Sequence, residues 1–316
     1  MQYFNMQNKT LTLFDTFNEE LNNIPLETES IIFNRLSLFN QKVDNLSYLI
    51  NLKKIYFYGK FNQKVDNLPK NLTHLSLSFN FNQKVDNLPE SLINLSFGYS
   101  FNQKIDNLPQ NITHLILGFS FNQKVDNLPK NLIHLIFDKK FNKIVDKLPK
   151  NLTSLTFGND FEQKVDNLPK NLTCLIFGHK FNQKVDNLPK NMTHLTFGVS
   201  FNQTIDKLPK NITFLTIDGI FNQKIDNLPP NLTYLNIDGY FDQEINNLPE
   251  KINNLFLKGR FNKKIDNLPF NIINLSLSHT FNQKVDNLPS SLQCLKIKKD
   301  TKHLFKIPFS CKVIFF

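Results

Sequence analysis

Large apolar side chains fall at fixed places along this chain. From Phe61 to Phe281 a phenylalanine returns every twenty residues, and numbering each unit from it puts apolar residues at positions 1, 5, 8, 12, 15 and 17. In the unit that opens the regular stretch these are Phe61, Val65, Leu68, Leu72, Leu75 and Leu77, with mostly polar residues between them. Positions 15 and 17 alternate with polar 14 and 16, the period of a strand with one buried face, whereas 1, 5, 8 and 12 fit neither a clean helix nor a strand. A helix over positions 5 to 12 is also blocked by proline at 9, which removes a donor and pushes the leucine before it out of the helical region. The pattern predicts one short strand per unit near positions 13 to 17 and an extended or tightly turned return path.

A fixed period over most of the chain overrides the two-domain expectation that 316 residues would raise, and points to a single stacked array. Two longer units, twenty-two residues each, start at Phe17 and Phe39, so that residues 17–300 hold fourteen units. Residues 1–16 are assigned to an N-terminal cap with one short strand from Thr10 to Phe14. Residues 301–316, which keep an Ile307-Pro308 echo and end in Val313 to Phe316, are assigned to a cap closing the last coil. The expected fold is a β-rich solenoid with one short parallel strand per coil and a convex side without full helices. A dozen regular coils at the usual strand spacing make a rod roughly 60 Å long. No unit folds alone, because six buried apolar side chains do not offset the entropy of ordering twenty residues.

The nine residues Phe61 to Pro69, FNQKVDNLP, come back almost unchanged through the array, and Leu72-x-x-Leu75-x-Leu77 follows them. This spacing resembles a leucine-rich repeat of the short bacterial type. More specifically it resembles the FNIP repeat family of social amoebae and giant amoebal viruses, named for its Phe-Asn start and a later Ile-Pro or Leu-Pro pair. The pair is Leu-Pro in almost every unit here and Ile24-Pro25 in the first. The resemblance covers about residues 17–300 and implies a leucine-rich-repeat-like stack. Some giant-virus relatives carry an F-box ahead of the repeats and resemble substrate adaptors of ubiquitin ligases. The sixteen residues before Phe17 do not hold that domain, so such a role would need a separate recruiting partner.

Polar columns repeat as well. Asn at positions 2, 7 and 11 (Asn62, Asn67, Asn71) is expected to satisfy backbone groups where the coil turns and has no ladder partner. Glycine at 18 or 19 (Gly98, Gly118, Gly158, Gly219) is expected to turn the chain with positive φ. Lys at 4 is expected to be answered by Asp at 6, as in Lys64 and Asp66. The formal charge of +10 then comes largely from position 10 and from Lys296 to Lys312, while Glu19, Glu20, Glu27 and Glu29 make the start acidic. Three separated cysteines, Cys174, Cys294 and Cys311, argue against a disulfide framework and fit a reducing compartment. The N-terminus lacks a signal-peptide pattern and no stretch suits a bilayer span, so a cytoplasmic location is expected, in the host cell if the protein is viral.

Position 14 is the outward column of the strand, and it carries His74, His114, His134 and His194, with Cys174, Phe214, Tyr234, Asn254 and Asn274 in other units. Stacked His114 and His134 could share a metal, but a zinc site needs three or four ligands, and the flanking Asn94 and Ser154 do not supply them. A Cys174/His nucleophile would need a pocket and an orienting group that a flat repeat face does not offer. No catalytic, cofactor or metal site is therefore assigned. Nucleic-acid binding is not favoured, since basic residues do not interleave with exposed aromatics along the sequence. Positions 14, 16 and 20 vary from unit to unit while the apolar columns hardly change. That contrast points to a non-catalytic scaffold whose strand face binds a protein partner of unknown identity through His74, Ser76, Asn94, His114, His134, Cys174, His194, Phe214, Tyr234, Asn236, Asn254, Phe256 and Asn274. The competing expectation is self-association of the acidic start with the basic end.

Overall fold

The fold was obtained as a computed structural model, which describes residues 2–316. The chain divides into two compact units, Met1–Phe161 and Glu162–Phe316. In the first, strands β1 (Gln2–Asn5), β2 (Thr10–Leu13), β3 (Ser30–Phe33), β4 (Lys54–Tyr56), β5 (His74–Ser76), β6 (Asn94–Ser96), β7 (His114–Leu117), β8 (His134–Phe137) and β9 (Ser154–Thr156) follow in order. Strands β2 to β9 pair in parallel, each with the next, and β1 folds back antiparallel on β2 with Gln2 opposite Leu13. The second unit holds β10 (Cys174–Ile176), β11 (His194–Phe197), β12 (Phe214–Ile217), β13 (Tyr234–Ile237), β14 (Asn254–Leu257), β15 (Asn274–Leu277), β16 (Cys294–Ile297) and β17 (Lys312–Phe315). These also pair in parallel with a twenty-residue register, except that Lys312 lies opposite Cys294, making the last coil two residues shorter. The molecule is a leucine-rich-repeat-like β-solenoid, and the described residues contain no α-helix.

All six predicted apolar columns are interior. The position-1 rings form a ladder from Phe17 to Phe161 in the first unit, with centroids 5.9–6.2 Å apart, and another from Phe181 to Phe281 in the second with the same spacing. Where position 17 is also phenylalanine, the two rings of one turn stack closely, as Phe97 on Phe101 at 3.7 Å. Proline 9 ends the extended stretch: its carbonyl accepts the position-12 amide in coil after coil, as Leu72 N–H on Pro69 at 3.1 Å. Among the described residues the return path is extended and tightly turned, with two short 3-10 segments, Asp44–Tyr48 and Lys299–Leu304.

The Asn columns divide. At position 2 the side-chain Oδ1 accepts the backbone amide of position 2 in the next coil, as Asn82 does from Asn102 at 2.9 Å. At position 11 the amide Nδ2 donates to a carbonyl of the preceding coil, as Asn111 to Glu90 at 2.8 Å. Position 7 departs from expectation: its Nδ2 donates to the Asp carboxylate at position 6 of the preceding coil, as Asn67 to Asp44 at 2.9 Å and Asn187 to Asp166 at 3.0 Å. Stacking brings an Asp of one coil beside an Asn of the next, so the carboxylates serve that column. Of the pairings expected within a repeat, Lys284 with Asp286 closes at 2.9 Å.

Glycine also behaves in two ways. At position 19, Gly219 has φ +76°, and Gly59, Gly239 and Gly259 are likewise positive. At position 18 the expected positive φ is not found; there a Cβ on Gly98 would collide with the carbonyl of Ser78 one coil back, so close backbone approach sets the need.

Candidate interaction surfaces

Because the strands run in register, each outward position becomes a column in which side chains one coil apart are direct neighbours. In the first unit the position-14 column runs through His74, Asn94, His114 and His134 on successive strands, with Ser76 at position 16. The His114 and His134 rings stack at 4.4 Å. Thr73 and Thr113 hold the Nδ1 atoms of His74 and His114 at 2.9 and 2.8 Å, which leaves Nε2 as the outward nitrogen. Burial holds His74 below the usual imidazole range, with Lys54 and His114 adding to the effect; burial and then His134 do the same to His114. His74 and His114 are therefore held toward neutral imidazole. Asn94 Oδ1 is buried without a partner.

In the second unit the same column reads Cys174, His194, Phe214, Tyr234, Asn254 and Asn274. His194 stacks on Phe214 at 5.5 Å, Phe214 on Tyr234 at 4.1 Å, and Tyr234 meets Phe256 of position 16 at 5.3 Å. Lys258 lies over Phe256 at 5.8 Å, so one continuous run of rings ends in a cation. Beside the rings Asp218 and Asp238 occupy position 18 in adjacent coils. Burial pushes the Asp218 carboxyl up, the Asp238 charge adds to it, and Lys258 and His179 pull against it. Asn236 Oδ1, between Tyr234 and Asp238 in its coil, is buried without a partner. Asn274 donates to Asn254 at 2.7 Å. The second unit thus gathers its predicted residues into one half-buried patch of rings and acceptors. No group of three or more His, Cys, Asp or Glu able to hold a metal is found among the described residues.

One surface was missed by the sequence reading. Phe79, Tyr99 and Phe119, all at position 19, stack at 4.6 and 4.2 Å, and Lys139 and Lys140 place their ammonium groups 5.2 and 5.8 Å from the Phe119 ring centre. Exposed aromatics and basic residues do meet here, as Tyr240 and Arg260 also do at 4.1 Å. The available signal was three aromatics in successive copies of a column that elsewhere holds Gly, His, Val, Asn or Lys. It is visible only when the coils are written one under another.

The fold and these surfaces define a leucine-rich-repeat-like scaffold, a class typical of protein-interaction modules. The FNIP repeat profile matches in eight segments between residues 64 and 259, the first seven overlapping in sequence and the eighth at 221–259, which together span more than half of the chain. The chain belongs to the FNIP repeat family. Among solved structures it is similar to CroV588, a giant-virus protein described as a novel circular LRR protein, at 37% identity and a TM-score of 0.87. That match covers 98% of this chain and 50% of CroV588, so the chain spans half the length of that relative. An LRR protein of Leptospira interrogans, LIC12759, matches at 18% identity with a TM-score of 0.59, over 97% of this chain and 89% of that one. The functional domain of InlJ from Listeria monocytogenes matches at 15% identity with a TM-score of 0.52, over 97% of this chain and 62% of that one. These last two likenesses concern the fold alone. Comparison with curated protein sequences finds no match. No helix is long and apolar enough to cross a membrane among the described residues.

Proposed function

We propose that the chain is a non-catalytic scaffold that binds a protein partner on its strand face, at positions 14 and 16. The observation that carries this reading is the patch of the second unit, where Phe214, Tyr234 and Phe256 form one run of rings that ends at the Lys258 ammonium. Half-buried aromatic rings on a rigid face are the ingredients of a binding hot spot, because a partner can cover them and take their remaining apolar surface out of water. The apolar columns behind the face are filled and hold the backbone rigid, so the chemistry of the face can differ from coil to coil without disturbing the stack.

The test compares partners captured from amoebal lysate by the native chain and by a folded variant carrying Phe214→Ser, Tyr234→Ser and Phe256→Ser. A protein recovered by the native chain and lost from the variant is the expected result. Equal recovery by both would place binding elsewhere. Self-association is the competing reading, favoured by the acidic Glu19, Glu20, Glu27 and Glu29 at one end of the sequence and Lys296 to Lys312 at the other. It predicts a salt-sensitive increase in mass by light scattering, and a monomer at high concentration and low salt excludes it. Substrate recognition beside a separate ubiquitin-ligase subunit is a narrower form of the first reading, and a ligase component in the native capture would support it.

A further inference from the structure

The ladder Phe79–Tyr99–Phe119 lies off the strand face, in the turns that follow β5, β6 and β7, and its first two rings are 57% and 41% exposed. The turn does not require an aromatic here, since the same column holds Gly59 before the ladder and Lys139 after it. At Gly59, where φ is +76° and a Cβ would collide with the Ser37 backbone, the column offers Phe79 no side chain to stack on. At the other end the Lys139 and Lys140 ammonium groups sit over Phe119, and neither forms an ion pair among the described residues. The nearest carboxylate in sequence, Asp138, accepts the Lys139 backbone amide at 2.7 Å, and Asp160, one coil further on, has an interaction of its own. An apolar stripe on adjacent coils thus ends in two cations whose counter-charges are not supplied in place.

We propose that this edge of the first unit is a second docking surface, and that its occupant is an acidic peptide segment of a protein partner bearing large apolar side chains. The apolar side chains would lie along the ring edges and over the open face of Phe79, and the carboxylates would meet Lys139 and Lys140. Exposed apolar surface of this kind, rimmed by charge, marks interaction sites in soluble proteins. The ring geometry favours a peptide over single-stranded nucleic acid. Bases bind such proteins by stacking on open ring faces, and here the faces of Tyr99 and Phe119 are covered by neighbouring rings and ammonium groups. Two lysines also provide few phosphate contacts.

The test is selection of random short peptides displayed on phage against the native chain. Enriched peptides are then measured as synthetic, fluorescent probes on three variants whose melting matches the native chain. These carry Phe79→Ser with Tyr99→Ser and Phe119→Ser, Lys139→Glu with Lys140→Glu, or the strand-face triple substitution described above. The expected result is a set of peptides combining Asp or Glu with Leu, Ile or Phe. Their binding weakens about tenfold or more in each of the first two variants and is unchanged in the third. The proposal is overturned if no enriched peptide depends on both the rings and the lysines. It is overturned equally if the dependent peptides are neutral or basic, or if oligo-deoxythymidine binds with the same dependence on the ladder. Peptides lost only in the third variant would also overturn it, while supporting the strand-face site.

Discussion

Replacing Asn102 by alanine removes the side-chain acceptor that joins its coil to the next along the return path. Asn102 Oδ1 accepts the Asn122 backbone amide at 2.9 Å and the Gln123 side-chain amide at 3.1 Å, while its own amide donates to Asn82 and survives the substitution. Alanine therefore leaves one part-buried backbone donor without its acceptor. An orphaned buried donor costs about 1–3 kcal/mol, and partial access of water at this site puts the expectation in the lower half, about 1–2 kcal/mol. Aspartate keeps the acceptor, as Asp242 does for Asn262 at 2.9 Å and Glu162 for Asn182 at 2.6 Å. Asn102→Asp should therefore stay within about 0.5 kcal/mol of the native chain. Native-state hydrogen exchange reads the site directly, since a loss of 1–2 kcal/mol makes the Asn122 amide exchange about 5–30 times faster in the alanine variant. Unchanged exchange in Asn102→Ala, or equal damage from Asn102→Asp, would refute the reasoning.

Three further outcomes follow from the same geometry. Phe121 is fully buried between Phe101 and Phe141, each 6.1 Å away, so Phe121→Ala should cost about 3–5 kcal/mol by urea unfolding, and a cost below that of Asn102→Ala would contradict the ladder's role. Asn187 donates only to the exposed Asp166 carboxylate, so Asn187→Ala should change stability by no more than about 0.5 kcal/mol in the same assay. His74 and His114 have depressed values in the fold, so the neutral form is favoured and their contribution is present above the ordinary imidazole value, near 6.5. It is lost as pH falls through the lower folded value; melting temperature should drop from pH 7 to 5 more steeply in the native chain than in His74→Gln with His114→Gln, and equal slopes would count against it.

Much of the fold was legible because the apolar columns leave no other solution. Phe61, Val65, Leu68, Leu72, Leu75 and Leu77 define an interior, and Pro69 forbids the helix that could have shared it. The hairpin strand Gln2–Asn5 was not legible, since it lies outside the period and pairs antiparallel where every other strand is parallel. Asn67 was assigned a backbone partner and has the Asp44 carboxylate, because an amide can serve either and only the stacking decides. The outward columns could be located from the period, but which of their residues form a surface depends on neighbours one coil away. Phe214 and Tyr234 are twenty residues apart in sequence and 4.1 Å apart in space. Read singly, Phe79, Tyr99 and Phe119 are three different turns; stacked, they are one ladder.

The most direct test of the scaffold account is hydroxyl-radical footprinting of the native chain with and without the partner it captures, because this chemistry labels exposed aromatic and imidazole side chains. The account predicts that Phe214, Tyr234 and Phe256 become protected in the complex while Phe270, an exposed ring on the return path, keeps its labelling. Protection of Phe270, with the strand-face rings still labelled, would contradict it.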